Sequence, residues 1–202
     1  MKNIFLLIFS ISLVNISFAS AEEAWKLEKD KNGIKVWTRK VDNSQLKEFK
    51  VSAILNTTVD KLISFFKNVS KYDQWMYKVD KDSPKIIKKN NDNDYYTYLT
   101  ISVPLIKSRD AITHMVFNPP DAKGDIIINL DGTPNLIAKN DNFIRIPLMK
   151  AYFKIDPVGN GKVELIHQAF SKVGGSIPDF FVNMGSVDAP FYMFTKLKEL
   201  VQ

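Results

Sequence analysis

Most of the chain alternates apolar and polar positions with a period of two, the pattern of β-strands. The clearest case is a hairpin, in which residues 25–29 and 34–41 flank Asn32-Gly33, a pair that favours a tight two-residue turn. Further strands are predicted at 46–55, 85–89, 95–103, 111–117, 126–130, 143–155 and 163–170. Turn-forming residues separate these segments, which is typical of an antiparallel sheet.

A short helical segment interrupts the strands. Thr57 and Thr58 both suit a helix N-cap, and apolar residues then recur at helical spacing as far as Phe66. A further turn of helix is predicted over residues 70–75.

The C-terminal segment has the longest helical period in the chain. Ser176 and Pro178 suit its beginning, and Pro190 lies inside it and is expected to kink it. Its apolar stripe recurs every 3.5 residues on average and consists of Phe180, Met184, Val187, Phe191, Phe194, Leu197 and Val201. The expected architecture is an α+β fold, one curved antiparallel sheet wrapped around this long helix.

The first 21 residues have the organisation of a signal peptide. Lys2 precedes an apolar run over residues 4–14, and Ala19-Ser20-Ala21 supplies the small residues of a cleavage site. The competing interpretation is a membrane anchor, but the run is about half of the roughly 20 apolar residues that a spanning helix needs. We therefore expect cleavage after Ala21 and one exported domain, residues 22–202, in the periplasm or outside the cell.

Charge and composition narrow the function classes. The 202 residues include 28 Lys plus Arg and 22 Asp plus Glu, a net charge of +6 that is spread along the chain. This distribution argues against a nucleic-acid partner and is compatible with transient contact with an anionic membrane surface. The chain has no cysteine, which excludes disulfides and thiolate chemistry. The two histidines lack the spacing of a metal motif, so we expect no metal. We also expect no cofactor and a monomeric protein.

Four short motifs, in order, resemble those of the steroidogenic-acute-regulatory-related lipid-transfer family, the START domains. They are Trp25-Lys26-Leu27 with residues 33–39, residues 72–75 (Tyr-Asp-Gln-Trp), residues 102–105 leading to Ser108-Arg109-Asp110, and Gly174-Gly175-Ser176-Ile177-Pro178 with Asn183. The resemblance runs from about Trp25 to Val201. It implies a helix-grip fold that encloses a hydrophobic tunnel, holds one lipid, sterol or other apolar molecule, and performs no chemistry.

The chain departs from the pattern of the sterol-binding members. These carry a buried acid and a buried base at positions that correspond by spacing to Tyr96 and Met115. The departure favours a ligand that is less polar or is anchored in another way.

The candidate binding residues follow from strand parity and from this resemblance. Tyr96, Tyr98 and Thr100 share one face of their strand, and the resemblance places Tyr96 inward; the alternative is a solvent-facing row of hydroxyl groups. The full set of predicted ligand-binding residues is Tyr96, Tyr98, Thr100, Arg109, Thr113, Met115, Phe117, Phe153, Met184, Val187 and Phe191.

Arg109 has two interpretations. Its guanidinium suits a carboxylate or phosphate head group of a ligand. It could equally form a salt bridge with a nearby acid and brace its loop.

Three function classes remain open from the sequence. The first is a binding or transfer protein for an apolar molecule. The second is an enzyme of aromatase/cyclase type that uses His114, His167 or a tunnel tyrosine as acid or base. The third is a structural or signalling module whose cavity is filled by its own side chains. Fold alone does not separate them.

Overall fold

The structure is a computed structural model that describes residues 24–177 and 179–202, apart from the side chains of residues 179–182 and 184. The predicted signal peptide, residues 1–21, lies outside the described residues. The strands are β1 (Lys26–Lys31), β2 (Ile34–Lys40), β3 (Lys47–Leu55), β4 (Lys85–Asn91), β5 (Asp94–Ile101), β6 (Arg109–Phe117), β7 (Ile126–Gly132), β8 (Ile144–Arg145), β9 (Leu148–Gly159) and β10 (Lys162–Lys172). The helices are α1 (Val59–Lys67), a 3-10 helix (Val69–Gln74) and α2 (Asp179–Val201).

The strands form one large curved sheet. Its order is β1-β2-β3-β10-β9-β7-β6-β5-β4, every neighbouring pair on this path is antiparallel, and the two-residue β8 pairs in parallel with β6. Because β1 and β4 are left at the two edges, the sheet is not closed into a barrel. The predicted fold class is confirmed.

The first hairpin forms as its turn sequence predicts. Asn32 and Gly33 both have positive φ, 55° and 72°, which is what a two-residue turn between right-twisted strands requires. The register then pairs Lys31 with Ile34 across the turn.

Helix α1 is capped by Thr58, whose side-chain oxygen accepts a hydrogen bond of 3.3 Å from the backbone N–H of Lys61. Its apolar stripe places Leu62 and Phe66 in the core with no exposed surface. The predicted helical turn follows as the 3-10 helix, which buries Tyr72.

Helix α2 packs across β2 and β3 and is attached near both of its ends. The Asn183 side chain accepts a hydrogen bond of 3.0 Å from the N–H of Lys47 and donates one of 3.1 Å to the carbonyl of Gln45. Near the C-terminus, Lys198 Nζ donates to the carbonyl of Asn32 over 2.8 Å. The last part of the predicted stripe is fully buried and consists of Phe194, Leu197 and Val201.

The prediction of one continuous strand near the middle of the C-terminal half is wrong. Residues 143–155 were expected to form a single strand, but the chain leaves β8 after Arg145 and begins β9 at Leu148. Pro147 stands at the break, and it has no N–H for a sheet ladder. The two pieces also have different neighbours, since β8 pairs with β6 whereas β9 pairs with β7 and β10.

Candidate functional site

The inner face of the sheet, which packs against the helices, is the candidate site. On β5 and β6 this face carries cross-strand pairs that are buried together: Tyr95 with Met115, Thr97 with Thr113, and Leu99 with Ala111. The same parity places Arg109 and Phe117 on the inner face. Arg109, Thr113, Met115 and Phe117 therefore all lie on this face, and their contact with a ligand stays a prediction.

The predicted orientation of β5 is wrong by one residue. Tyr96 lies on the outer face, where its ring stacks on His114 with centroids 4.3 Å apart. Tyr98 lies under Lys85 on the same face, and the Thr100 hydroxyl donates to Asp80 Oδ2 over 2.5 Å. These three side chains do not face α2. Both faces of β5 carry aromatic and hydroxyl groups, so strand parity alone does not indicate which face turns inward.

The residue opposite Met115 is therefore Tyr95 and not Tyr96. Sequence reasoning missed Tyr95, Thr97 and Leu99 as wall residues for the same reason. The apolar Leu99, followed by Ile101, was the available signal for the inner face.

Phe153, on β9, joins an aromatic cluster in the core. Its ring lies 4.7 Å from that of Phe66, 4.0 Å from that of His167 and 6.4 Å from that of Trp75. Phe153 therefore lies inward, and its contact with a ligand stays a prediction. From α2, Val187 and Phe191 are partly buried against the same core. The side chain of Met184 lies outside the described residues.

Two polar atoms within this apolar enclosure have no hydrogen-bond partner. They are the indole Nε1 of Trp75 and the hydroxyl of Tyr95. Nearby, the Tyr72 hydroxyl donates to the carbonyl of Phe66 over 2.6 Å and contacts Met115 Sδ at 3.4 Å. Burial raises the pKa of Tyr95 to about 12 and the pKa of Tyr72 well above its ordinary value, so both phenols are protonated at neutral pH.

His167 is held as a neutral imidazole on the inner face of β10. Its Nδ1 lies 2.9 Å from the carbonyl oxygen of Tyr152, so Nδ1 carries the proton. The ring packs between Phe153 and Phe49, whose centroids lie 4.0 and 5.3 Å away. Burial lowers the pKa of His167 to about 4.

His114 lies on the opposite, outer face, where its Nε2 is 2.7 Å from Asp94 Oδ1. The two histidines are therefore separated by the sheet and cannot act on one substrate together. Within the described part of the chain, no cluster of three or more His, Asp or Glu side chains could hold a metal ion. No helix there combines the length and the hydropathy that crossing a membrane requires.

Arg109 is buried at the end of the inner face nearest the beginning of α2, with 5% of its surface exposed. Its guanidinium donates to the backbone carbonyls of Lys107 and, over 3.4 Å, of Gly174, while its Nε has no partner. No carboxylate among the described side chains forms an ion pair with Arg109. The alternative prediction, a salt bridge that braces the loop, is therefore not found among these side chains. Burial lowers the pKa of Arg109.

Two surface clefts are also present in the described part of the chain. One, of about 210 Å³, is next to the C-terminal end of α2 and includes Asn32 and Lys198. The other, of about 260 Å³, is on the outer face between Tyr98, Ile137 and Arg145. Tyr98 is the one predicted binding residue that lines either of these two clefts.

Solved structures of other proteins share this architecture. No family model matches the sequence. A STAR-related lipid transfer protein from Xanthomonas axonopodis superposes with a TM-score of 0.80 and 28% identity, over 88% of this chain and 98% of that structure. This chain is a START-like domain. The human StAR-related lipid transfer protein 5 shares the fold, with a TM-score of 0.75 and 17% identity over 88% of this chain and 86% of that one.

Two further similarities bear on function. A Pseudomonas aeruginosa protein described as uncharacterized is 26% identical over 196 residues, which is 96% of this START-like domain and 95% of that protein. The Zhui aromatase/cyclase from Streptomyces has the same general fold, with a TM-score of 0.52 and 10% identity over 76% of this chain and 90% of that one. The fold is thus shared by lipid-transfer proteins and by an enzyme, and the side chains must separate the two functions.

Proposed function

We propose that this START-like domain binds one apolar molecule between the sheet and α2 and carries it without chemical change. The observation that carries the proposal is the set of unpartnered polar atoms on the helix-facing side of the sheet: Trp75 Nε1, the Tyr95 hydroxyl and Arg109 Nε. Folded proteins pair nearly all of their buried polar groups. A ligand that is mostly apolar, with a few polar atoms, would give these groups partners while its body contacts the surrounding aromatic rings.

The acid–base properties of two side chains on the inner face support a non-catalytic role. A general acid or base works best when its pKa lies near the working pH. On the inner face, His167 has a pKa of about 4 and Tyr95 a pKa of about 12, both far from neutrality. Each would therefore serve a ligand as a fixed hydrogen-bonding group.

A carrier of this kind must take its ligand from a membrane or a partner, and we propose a membrane. The loop between β5 and β6 exposes Leu105 completely and also exposes Val103 and Ile106 in part. Lys107 follows directly, so an apolar tip stands beside a positive charge, the combination that favours an anionic bilayer surface. Arg109 begins β6 two residues later, which puts this loop at the same end of the sheet as the buried guanidinium.

We also propose that the protein is exported. The composition of residues 1–21 is that of a signal peptide, and a carrier released by cleavage after Ala21 would work in the periplasm or outside the cell.

The test combines native mass spectrometry with one substitution on α2. Wild-type protein from a host membrane preparation is expected to carry an added mass equal to one unmodified lipid. Val187→Trp places an indole between α2 and the sheet, where Val187 is only partly buried. We expect this variant to fold and to lose uptake of a fluorescent fatty acid or sterol probe.

Leu200→Trp is the matched control, because Leu200 lies on α2 with 43% of its surface exposed. It adds the same indole to the same helix and is expected to leave uptake unchanged. If Val187→Trp folds and still binds the probe, the ligand does not lie between α2 and the sheet. A chemically altered product in the wild-type spectrum would instead favour an enzyme.

A further inference from the structure

The chain has three arginines, and they differ in how their charge is compensated. Arg39 is paired with Glu48 on the outer face, with Nε 2.6 Å from Oε2. Arg145 is buried but holds Asp110 in a two-pronged ion pair, with both N···O distances 2.8 Å. Arg109 is as buried as Arg145, yet no described carboxylate forms an ion pair with it. It is thus the exception among the three.

A buried guanidinium without a counter-ion is costly, because it has left water without gaining an opposite charge. Two carbonyl dipoles, those of Lys107 and Gly174, compensate it only in part, and Nε is left without an acceptor. The adjacent Asp110 does not neutralise Arg109, because its side chain points to the other face of β6 and forms an ion pair with Arg145. The Arg109 guanidinium can therefore still form an ion pair with an anion.

Two consecutive glycines carry the backbone past the Arg109 guanidinium. Gly174 and Gly175 both have positive φ, 67° and 73°, and carry the chain over β8. A Cβ at Gly175 would lie 2.7 Å from Ile144 Cδ1 and 3.5 Å from Arg109 Nη2. Glycine at this position therefore lets the loop pass over Ile144, and the loop then lies next to the guanidinium. Four residues later α2 begins, and the N-terminal end of a helix also favours negative charge.

The inner face continues from Arg109 along β6 as an apolar wall. Ala111, Thr113 and Met115 share its parity and are buried, and six residues of strand span about 20 Å. A charged group held at Arg109 would leave a long acyl chain lying along this wall towards Tyr95 and Met115.

We propose that Arg109 binds an oxyanion, carboxylate or phosphate, at one end of the apolar ligand. This proposal rests on the proposed function and names the ligand class: a long-chain anionic amphiphile, with its head group at the beginning of α2 and its tail along β5 and β6. Arg109 is the ligand's counter-ion, and the Gly174-Gly175 turn covers the pair.

The test compares ligands that share one chain and differ in the head group. Oleate, oleyl phosphate and methyl oleate are titrated into wild-type protein, Arg109→Gln and Arg109→Lys by displacement of a fluorescent probe. We expect Arg109→Gln to weaken binding of oleate and oleyl phosphate about tenfold or more and to leave methyl oleate nearly unchanged. Arg109→Lys keeps the charge and is expected to recover part of the loss.

Arg39→Gln is the matched control, because it removes one positive charge from the outer face of the same sheet. It is expected to change none of the three affinities. Inorganic phosphate and acetate, added alone, separate a lipid head group from a free anion: displacement of the probe by millimolar phosphate would make the site a small-anion site and overturn the proposal. Equal weakening of charged and uncharged ligands by Arg109→Gln would also overturn it.

A second measurement needs only the wild-type protein. Oleate labelled with ¹³C at the carboxyl group is bound and its chemical shift is followed from pH 8 to pH 3. A carboxylate beside a guanidinium is stabilised in its charged form, so its pKa is expected to fall below that of an ordinary carboxyl group. A raised pKa would indicate an apolar site away from Arg109. If neither oleate nor methyl oleate binds, the proposed function itself fails.

Discussion

Tyr95 lies directly opposite Met115 across β5 and β6, and both side chains are buried on the face that packs against the helices, 2% and 1% exposed. The Met115 sulfur also contacts the Tyr72 hydroxyl at 3.4 Å. This three-residue contact joins the sheet to the 3-10 helix. It also fixes which side of β5 is the wall of the candidate site, since every second residue from Tyr95 shares its orientation.

Tyr95→Phe is expected to leave the free energy of unfolding unchanged or to raise it by up to about 1 kcal/mol. The Tyr95 hydroxyl is buried and makes no hydrogen bond of standard geometry, its one polar neighbour being the Tyr72 hydroxyl, so its removal relieves a desolvation cost. Urea denaturation measures the change. Tyr72→Phe is the comparison, because its hydroxyl donates to the carbonyl of Phe66 and its loss should destabilise the fold. A loss above about 1 kcal/mol in Tyr95→Phe would show that this hydroxyl is partnered.

Asp110→Asn is expected to destabilise the protein by about 3 to 5 kcal/mol. The Asp110 and Arg145 side chains are 1% and 3% exposed, so the substitution leaves a buried guanidinium with carbonyl partners only. The double variant Asp110→Leu with Arg145→Met removes both charges and should be more stable than the sum of the two single changes predicts. Strict additivity in this double-mutant cycle would mean that the two charges do not interact.

Acidification is expected to destabilise the protein through His167. Its pKa is about 4 in the folded state against 6.5 for an ordinary histidine, so the unfolded chain binds the proton first as the pH falls. The contribution to stability is complete above about pH 6.5, declines below it and reaches its lower limit under about pH 4. Its size is roughly 3 kcal/mol.

The measurement is the free energy of unfolding of the wild type and of His167→Asn between pH 4 and pH 8. Asparagine can still donate a hydrogen bond towards the Tyr152 carbonyl but does not titrate. The difference between the two proteins should therefore depend on pH in this window. A His167→Asn variant with the same slope would refute the assignment.

The exported protein is expected to begin at Glu22. The Ala19-Ser20-Ala21 site stands between the apolar run and the first acidic pair, where a signal peptidase cuts. N-terminal sequencing of the protein from its own host tests this. Ala21→Asp, which puts a charge where a small residue is needed, should block processing, whereas Ala24→Asp should not. Recovery of a membrane-bound form that retains Met1 would favour the anchor.

The local patterns of the sequence were sufficient for most of the fold. Asn32-Gly33 specifies its turn by backbone conformation alone, and Thr58 caps α1 with its own side chain. The stripe that ends in Leu197 and Val201 predicts the buried side of α2, because helical spacing brings these residues to one face. Each of these features depends on residues that are close in the chain.

The face of β5 was decided only by tertiary structure. Tyr95 and Tyr96 are both aromatic, and hydroxyl groups follow on both sides of the strand, so the pattern along β5 is nearly symmetrical. The pairing of Tyr95 with Met115 and the stacking of Tyr96 on His114 break that symmetry. A shift of one residue exchanges every side chain between the two faces of a strand. For this reason Tyr96, Tyr98 and Thr100, which were predicted to line the wall, lie on the outer face.

The environment of Arg109 was likewise settled by distant parts of the chain. In the sequence Arg109 stands beside Asp110, but neighbours in a strand point to opposite faces, and Asp110 is bound by Arg145, 35 residues away. Gly174, 65 residues away, supplies one of the carbonyls that Arg109 contacts. The sequence determined that a charged residue begins β6. Only the folded chain decided that this charge is buried without a described counter-ion, because the neighbouring acid, Asp110, is paired with Arg145 on the other side of the sheet.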